Sequence, residues 1–112
     1  MERKLLAIVA ADMVGFSRLV EINEIEILKR QKKHFIEIIK PTIDKYTGRI
    51  IKTTGDGFLA TFESSMSAVE SSLIIQSKIN ELESMFNNDK RIWYRFGTVS
   101  YTHLTLPTSQ YV

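Results

Sequence analysis

Residues 49–62 have the sequence RIIKTTGDGFLATF, and this stretch decides the fold. Two short runs of apolar and β-branched residues, 49–54 and 58–62, flank a central Gly-Asp-Gly at 55–57. Gly and Asp accept the backbone angles of a tight turn, and the flanking runs favour extended chain. The stretch therefore predicts a β-hairpin.

The N-terminal side of the hairpin predicts one strand and one helix. Residues 4–11 are a short apolar run with β-branched residues, which is typical of a buried strand. A helical spacing of apolar residues follows over 24–46, and Pro41 is expected to kink or break that helix. The pair Thr47-Gly48 is expected to end it, because Gly accepts the left-handed conformation common just past a helix.

The C-terminal side predicts a second helix and a further strand. Ser64 or Ser65 can cap a helix that runs to about residue 86, and residues 91–97 alternate as a strand does. The apolar stripe expected for this helix is Met66, Val69, Leu73, Ile79, Leu82 and Phe86. The element order βαββαβ predicts an α+β, ferredoxin-like palm with an antiparallel sheet and both helices on one face.

Composition narrows the class of protein. Lys plus Arg is 15 and Asp plus Glu is 13, so the net charge of +2 gives no reason to expect nucleic acid as a partner. The absence of cysteine excludes disulfides, thiolate metal sites and a cysteine nucleophile. No apolar run approaches the roughly 20 residues that span a bilayer, so we expect no membrane segment and a cytoplasmic location.

Two carboxylates are the main candidates for a functional site. Asp12 follows the first predicted strand and Asp56 lies at the hairpin tip, so the predicted sheet brings both to one edge. A cation such as Mg²⁺ offsets the repulsion between adjacent carboxylates, and it binds them together with phosphate oxygens. Taken singly, Asp56 is more simply explained by turn chemistry, and Asp12 is often only a helix cap.

Three other features each allow a functional and a structural interpretation. Residues 15–17 (Gly-Phe-Ser) open a helix whose free N–H groups suit a polyphosphate, although a lone Gly there is usually only a turn. Alternation places Lys52 on the same face as the hairpin carboxylate, where a salt bridge is favoured over contact with a ligand. His34 lies among lysines on a helix, which indicates a solvated histidine rather than a catalytic one.

At this point a family resemblance is evident. Residues 11–17 (ADMVGFS) and 49–57 (RIIKTTGDG) resemble the two metal-binding segments of class III adenylate/guanylate cyclases, and the bacterial adenylate cyclase branch is the most similar. Residues 91–97 (RIWYRFG) look like the next strand of that family. The resemblance extends from residue 3 to about residue 97 and implies the truncated N-terminal part of such a domain.

The resemblance implies a metal site and a reaction. Asp12 and Asp56 would hold two Mg²⁺ or Mn²⁺ ions, with help from the backbone carbonyl of Met13. The reaction would convert ATP to 3′,5′-cyclic AMP and pyrophosphate by attack of the ribose 3′-OH on the α-phosphorus.

The resemblance also implies contacts to the substrate and a partner subunit. Gly15, Phe16 and Ser17 would lie against the triphosphate. Lys52 occupies the position that binds the purine, and Lys there goes with ATP rather than GTP. The family works as a head-to-tail homodimer, in which the partner subunit supplies an Asn and an Arg that stabilise the transition state.

The resemblance stops near Gly97, and no charged residue occurs from Phe96 to the end in a chain that is 25% charged. Residues 99–108 (VSYTHLTLPT) resemble no cyclase segment and look like the translation of a sequencing adapter. We therefore expect residues 1–97 to be part of a cyclase catalytic domain and residues 98–112 to be a non-native tail. A genuine uncharged edge strand is the alternative.

Because the Asn and Arg of the family lie beyond residue 97, we expect the chain alone to be inactive. There are three alternative functions, of which two stay open. A degenerate cyclase-like domain could bind nucleotide or a partner as a regulatory module, and a plain ferredoxin-like module could act through interaction only. A diguanylate cyclase is disfavoured, because residues 55–58 (GDGF) do not fit the Gly-Gly-Asp/Glu-Glu-Phe turn of those enzymes.

Overall fold

A computed structural model of the chain describes residues 2–105, and it describes side chains from residue 5 to residue 100. The strands are β1 (Glu2–Met13), β2 (Arg49–Thr53), β3 (Gly57–Phe62) and β4 (Tyr94–Thr105), and the helices are α1 (Phe16–His34), α2 (Lys40–Lys45) and α3 (Ser65–Glu83). A π-helical turn, Phe35–Ile39, joins α1 to α2, and a short 3₁₀ turn, Asn88–Lys90, precedes β4. The predicted α+β order βαββαβ is confirmed.

The four strands form one antiparallel sheet in the order β2-β3-β1-β4. Alternate residues of β1 from Ala7 to Met13 are buried, and they form one core with apolar residues of all three helices. The residues between them, Asp12 included, are more exposed. The helices therefore cover one face of the sheet, as predicted, and Asp12 lies on the uncovered face, which we call the open face.

Strand β4 pairs with β1 without a break, from Tyr94 opposite Met13 to Thr105 opposite Glu2. The strand thus passes through the boundary expected at residue 97, and residues 106–112 lie outside the described residues. Strand pairing does not test whether residues 98–112 are native, so that division of the chain stays a prediction.

Helix α1 is broken at Asn23, whose φ of −162° and ψ of 90° are not helical. The Asn23 side-chain oxygen accepts a hydrogen bond of 3.2 Å from the Glu26 N–H, so it caps the second part of the helix. The helix expected from residue 24 is this second part. The interruption expected at Pro41 takes the form of the π-helical turn just before it, where a wider turn accommodates a residue that lacks an N–H.

The helix ends at Thr47-Gly48 as predicted, but Thr47 rather than Gly48 adopts the left-handed conformation. Thr47 has the positive φ of 57°, and the N–H of Gly48 donates to the Ile43 carbonyl at 2.9 Å, as in a Schellman motif. Gly48 is required for packing instead, because a Cβ there would lie 2.3 Å from the ring of Phe62.

Helix α3 begins as expected, since the Ser64 hydroxyl accepts from the Ser67 N–H at 3.2 Å. The first half of its predicted apolar stripe is wrong: Met66, Val69 and Leu73 are exposed. The residues that face the core are Ala68, Ser71, Ser72, Ile75 and Ile79. Small side chains let the helix lie close to the sheet, and both serine hydroxyls are satisfied by the Ala68 carbonyl.

His34 is buried, so the expectation of a solvated histidine is wrong. Its Nε2 lies 3.0 Å from a carboxylate oxygen of Glu83, and its Nδ1 lies 3.2 Å from the Tyr94 hydroxyl. The Arg30 guanidinium also donates to Glu83. We call Arg30, His34, Glu83 and Tyr94 the buried centre, because it joins α1, α3 and β4 beneath the sheet.

Glu83 is charged in this centre. Burial alone raises the pKa of Glu83. The hydrogen bonds from His34, from Arg30 and from the Ile92 N–H outweigh burial and hold that pKa below its ordinary value of 4.5. Burial and the Glu83 charge raise the pKa of Tyr94, so its hydroxyl remains a hydrogen-bond donor.

Candidate active site

The hairpin tip lies against the end of β1. Asp12 and Gly57 are directly opposite in the pairing of β1 with β3, so Asp56 is one residue from the cross-strand partner of Asp12. The Met13 N–H donates to the Asp56 carbonyl at 2.8 Å. The structure therefore brings together the two carboxylate residues singled out from the sequence.

Gly57 makes this approach possible. A Cβ at this position would lie 1.8 Å from the Ala11 carbonyl oxygen, a distance no side chain can adopt. The glycine after Asp56 is thus needed because the β1 backbone passes too close for any other residue.

A groove of about 620 Å³ lies at this end of the open face, and we call it the open groove. Its polar lining consists of Asp12, Thr54, Asp56 and Arg95, and Leu59 and Phe96 are among its apolar residues. The groove is formed by strands β1, β3 and β4 together with the hairpin tip. Two carboxylates, an arginine side chain and an apolar surface therefore occur in one concave site.

The two carboxylates have different partners. Asp12 accepts two hydrogen bonds from the Arg95 guanidinium, at 3.0 and 3.4 Å, and both side chains are exposed enough to move. Asp56 accepts a hydrogen bond of 3.3 Å from the Thr54 hydroxyl. Asp12 is not a helix cap, since Gly15 holds the N-cap position of α1 without a side-chain bond.

Lys52 reaches the open face through a β-bulge. The pairing of β2 with β3 shifts between Ile50 and Lys52, so Ile51 is an extra residue and Lys52 lies opposite Leu59. Cross-strand partners share a face, and Leu59 lines the open groove. Lys52 is exposed and has no ion pair among the described side chains, so the favoured salt bridge to the carboxylates is wrong.

Residues 15–17 begin α1 directly after β1. Gly15 has a φ of 65°, a left-handed conformation that turns the chain sharply from the strand into the helix. Phe16 is partly buried against the core, so its backbone is more available to a ligand than its ring, whereas Ser17 is exposed. The Met13 side chain is buried, so its backbone carbonyl is the atom that could contact a cation.

The donor atoms suit a hard divalent cation. Two carboxylates and a main-chain carbonyl are oxygen ligands of the kind Mg²⁺ and Mn²⁺ prefer. No group of three or more His, Cys, Asp or Glu residues able to hold a metal occurs in the described part of the chain. The set is thus too small to enclose an ion and fits a cation that takes its remaining ligands from phosphate and water.

Arg95 is the charged residue of the groove lining that the sequence did not single out. The pattern contained the information, because alternation in β4 puts Arg95 on the opposite face from the buried Tyr94. Only the pairing of β4 with β1 places it opposite Asp12.

None of the helices in the described residues is long and apolar enough to cross a membrane.

The fold and the paired carboxylates define a ferredoxin-like palm domain, and comparison with known proteins identifies it as one of the nucleotidyl cyclase type. No protein-family profile matches the chain. A curated protein of Rhizobium meliloti, named "Putative adenylate cyclase 3", is 36% identical over 95 residues, which are 85% of this chain and 16% of that protein.

Solved structures extend the comparison. An adenylate/guanylate cyclase/hydrolase from Silicibacter pomeroyi is 44% identical, with a TM-score of 0.81, and the match covers 90% of this chain and 59% of that one. The guanylate cyclase domain from Catenaria anguillulae in complex with GTP, at 16% identity and a TM-score of 0.70 over 91% of this chain and 59% of that one, shares the fold.

The chain belongs to the class III adenylate/guanylate cyclases. It spans somewhat more than half of the solved cyclase chain and about one sixth of the curated relative.

Proposed function

We propose that this chain is the metal-binding half of a nucleotidyl cyclase active site, and that the whole enzyme converts ATP to 3′,5′-cyclic AMP and pyrophosphate. The observation that carries the proposal is the juxtaposition of Asp12 and Asp56 in the open groove, next to an arginine. When bound, two Mg²⁺ or Mn²⁺ ions would lower the pKa of the attacking 3′-OH and neutralise charge on the triphosphate.

The chain's own residues bind and orient. Asp12 and Asp56 hold the cations, and the Met13 carbonyl supports them. Arg95, which pairs with Asp12 in this structure, is exposed enough to turn towards phosphate oxygens once Asp12 binds a cation. The backbone at Gly15, Phe16 and Ser17 lies where α1 begins and suits the triphosphate.

Lys52 is proposed to bind the adenine. It lies on the groove face and has no partner among the described side chains, so its ammonium group is available to a ring nitrogen. The fold does not choose the base, since both adenylate and guanylate cyclases share it. We therefore place ATP before GTP on the strength of Lys52 alone.

The chain alone is expected to bind nucleotide without turning it over, because the resemblance ends before the Asn and Arg that stabilise the transition state. The full enzyme is proposed to act as a head-to-tail homodimer in the cytoplasm, with these residues supplied across the interface.

Binding of a fluorescent ATP analogue, followed by anisotropy, tests the proposal. We expect binding that requires Mn²⁺ or Mg²⁺, weakens at least about tenfold in Asp56→Asn, and is displaced by ATP more readily than by GTP. Asp44→Asn, an exposed carboxylate that pairs with Lys40 on α2, is the matched control and should bind as wild type does.

Two results would contradict the proposal. Nucleotide binding that ignores the cation and Asp56 would favour a degenerate regulatory domain, and no binding at all would favour an interaction module. Appreciable cyclic AMP from the chain alone would show that the expected inactivity is wrong.

A further inference from the structure

We propose that Gln31 is a positioning residue for Asp56, an inference that rests on the proposed cation site. Gln31 lies on α1, beneath the sheet, and takes no part in the chemistry itself. Its side-chain amide donates a hydrogen bond of 2.9 Å to the Gly55 carbonyl, the residue directly before Asp56. The helix layer thereby reaches the hairpin tip at the carboxylate that the function requires.

The tip needs such a support because packing holds it only on the Gly57 side, where it meets β1. Gly55 and Gly57 flank Asp56, and glycine loses more conformational freedom on ordering than any other residue. A Cβ at Gly55 would meet nothing within 4 Å, so no packing restrains that side of the tip. Hydrogen bonds must therefore fix the direction in which the Asp56 carboxylate points.

The Thr54 hydroxyl bonds to the Asp56 carboxylate itself, and three hydrogen bonds hold the backbone of the tip from different sides. The turn closes on itself through the Thr54 N–H and the Gly57 carbonyl, at 2.8 Å. The β1 backbone holds the tip through the Met13 N–H and the Asp56 carbonyl. Among these three bonds to the backbone of the tip, the Gln31 bond is the one made by a side chain, so a substitution can remove it without altering the backbone.

Gln76 provides a matched control. Its side-chain amide also donates from a helix to a backbone carbonyl, that of Tyr94, at 3.3 Å. Gln31 and Gln76 are both partly buried. Replacing either by Met keeps the length of the side chain and removes the donor, but only Gln31→Met releases the hairpin tip.

The experiment measures Mn²⁺ affinity of the chain by electron paramagnetic resonance, together with urea unfolding and the amide spectrum. We expect Gln31→Met to bind Mn²⁺ about tenfold more weakly than wild type, because the loss of hydrogen bonds that orient a metal ligand lowers metal affinity by such factors. Gln76→Met should lose similar stability and keep its Mn²⁺ affinity. The amide resonances of Asp56 and Gly57 should shift or broaden only in Gln31→Met.

The outcomes separate this inference from the proposed function. If wild type binds Mn²⁺ and Asp56→Asn does not, but Gln31→Met binds as wild type does, the site stands and Gln31 is not a positioning residue. If wild type and Asp56→Asn bind equally, the proposed function is wrong. The amide spectrum then decides alone, and an unchanged tip in Gln31→Met overturns the inference.

Discussion

Two arginine–carboxylate pairs lie on opposite faces of the sheet, one in the open groove and one in the buried centre. The Arg95 and Asp12 side chains are 71% and 44% exposed, whereas those of Arg30 and Glu83 are 12% and 3% exposed. Water competes for the first pair and is excluded from the second. The same two chemical groups are therefore held weakly in one place and firmly in the other.

The difference indicates what each pair can do. An exposed pair contributes less than about 1 kcal/mol, so a cation can separate Asp12 from Arg95 at little cost. In the buried centre, Glu83 also accepts hydrogen bonds from His34 and from the Ile92 N–H. Breaking the pair of Arg30 and Glu83 leaves an unpaired charge inside the protein. The open groove is suited to exchange of partners, and the buried centre is suited to holding α1, α3 and β4 together.

The largest expected effect comes from breaking the buried centre. Glu83→Gln should lower the free energy of unfolding by about 3 kcal/mol, because the Arg30 cation stays buried without its carboxylate. Asp12→Asn, the matched change in the open groove, should lower it by less than about 1 kcal/mol. Urea unfolding of both variants measures the contrast, and equal losses would show that the comparison is wrong.

A smaller effect on the free energy of unfolding is expected when the pH is lowered. Since the pKa of Glu83 is lower in the folded protein than its ordinary value of 4.5, its contribution to stability is fully present above that value. The contribution should be lost as pH falls below 4.5 and through the folded pKa, when the carboxylate facing Arg30 and His34 is protonated. The difference in free energy of unfolding between wild type and Glu83→Gln, followed from pH 7 to pH 3, should therefore narrow below pH 4.5, and a constant difference would contradict this assignment.

The smallest expected effect on stability comes from Arg95→Met. Because the exposed pair contributes little, unfolding should change by less than about 1 kcal/mol. Affinity for free Mn²⁺ should nevertheless rise severalfold, since the Asp12 carboxylate loses a competing cation. Lys33→Met, an exposed cation on α1, controls for charge alone. Weaker Mn²⁺ binding by Arg95→Met would count against Asp12 as a ligand.

Much of the fold could be predicted because its determinants are local. The Gly-Asp-Gly turn, the alternation in β4 and the Ser64 cap each act over a few residues, and together they define the βαββαβ order. The approach of Asp56 to Asp12 followed from that order alone. Gly57 strengthens it, although its close contact with Ala11 is visible only in the structure.

The features that were missed depend on residues distant in sequence. His34 looks solvated among lysines, and its partners Glu83 and Tyr94 lie 49 and 60 residues away. The bulge at Ile51 that brings Lys52 to the groove face has no local signature. The first half of α3 turns its small residues inward, because close packing of helix on sheet outweighs the burial of Met66 and Leu73.

The proposed function depends on cations that bind in the open groove between Asp12 and Asp56. Crystals of the chain soaked with Mn²⁺ and ATP, examined by anomalous scattering, test it most directly. We expect a Mn²⁺ peak within about 2.2 Å of oxygens of both carboxylates, with Arg95 turned from Asp12 towards phosphate. A peak elsewhere, or Arg95 still bonded to Asp12 beside a bound nucleotide, would contradict it.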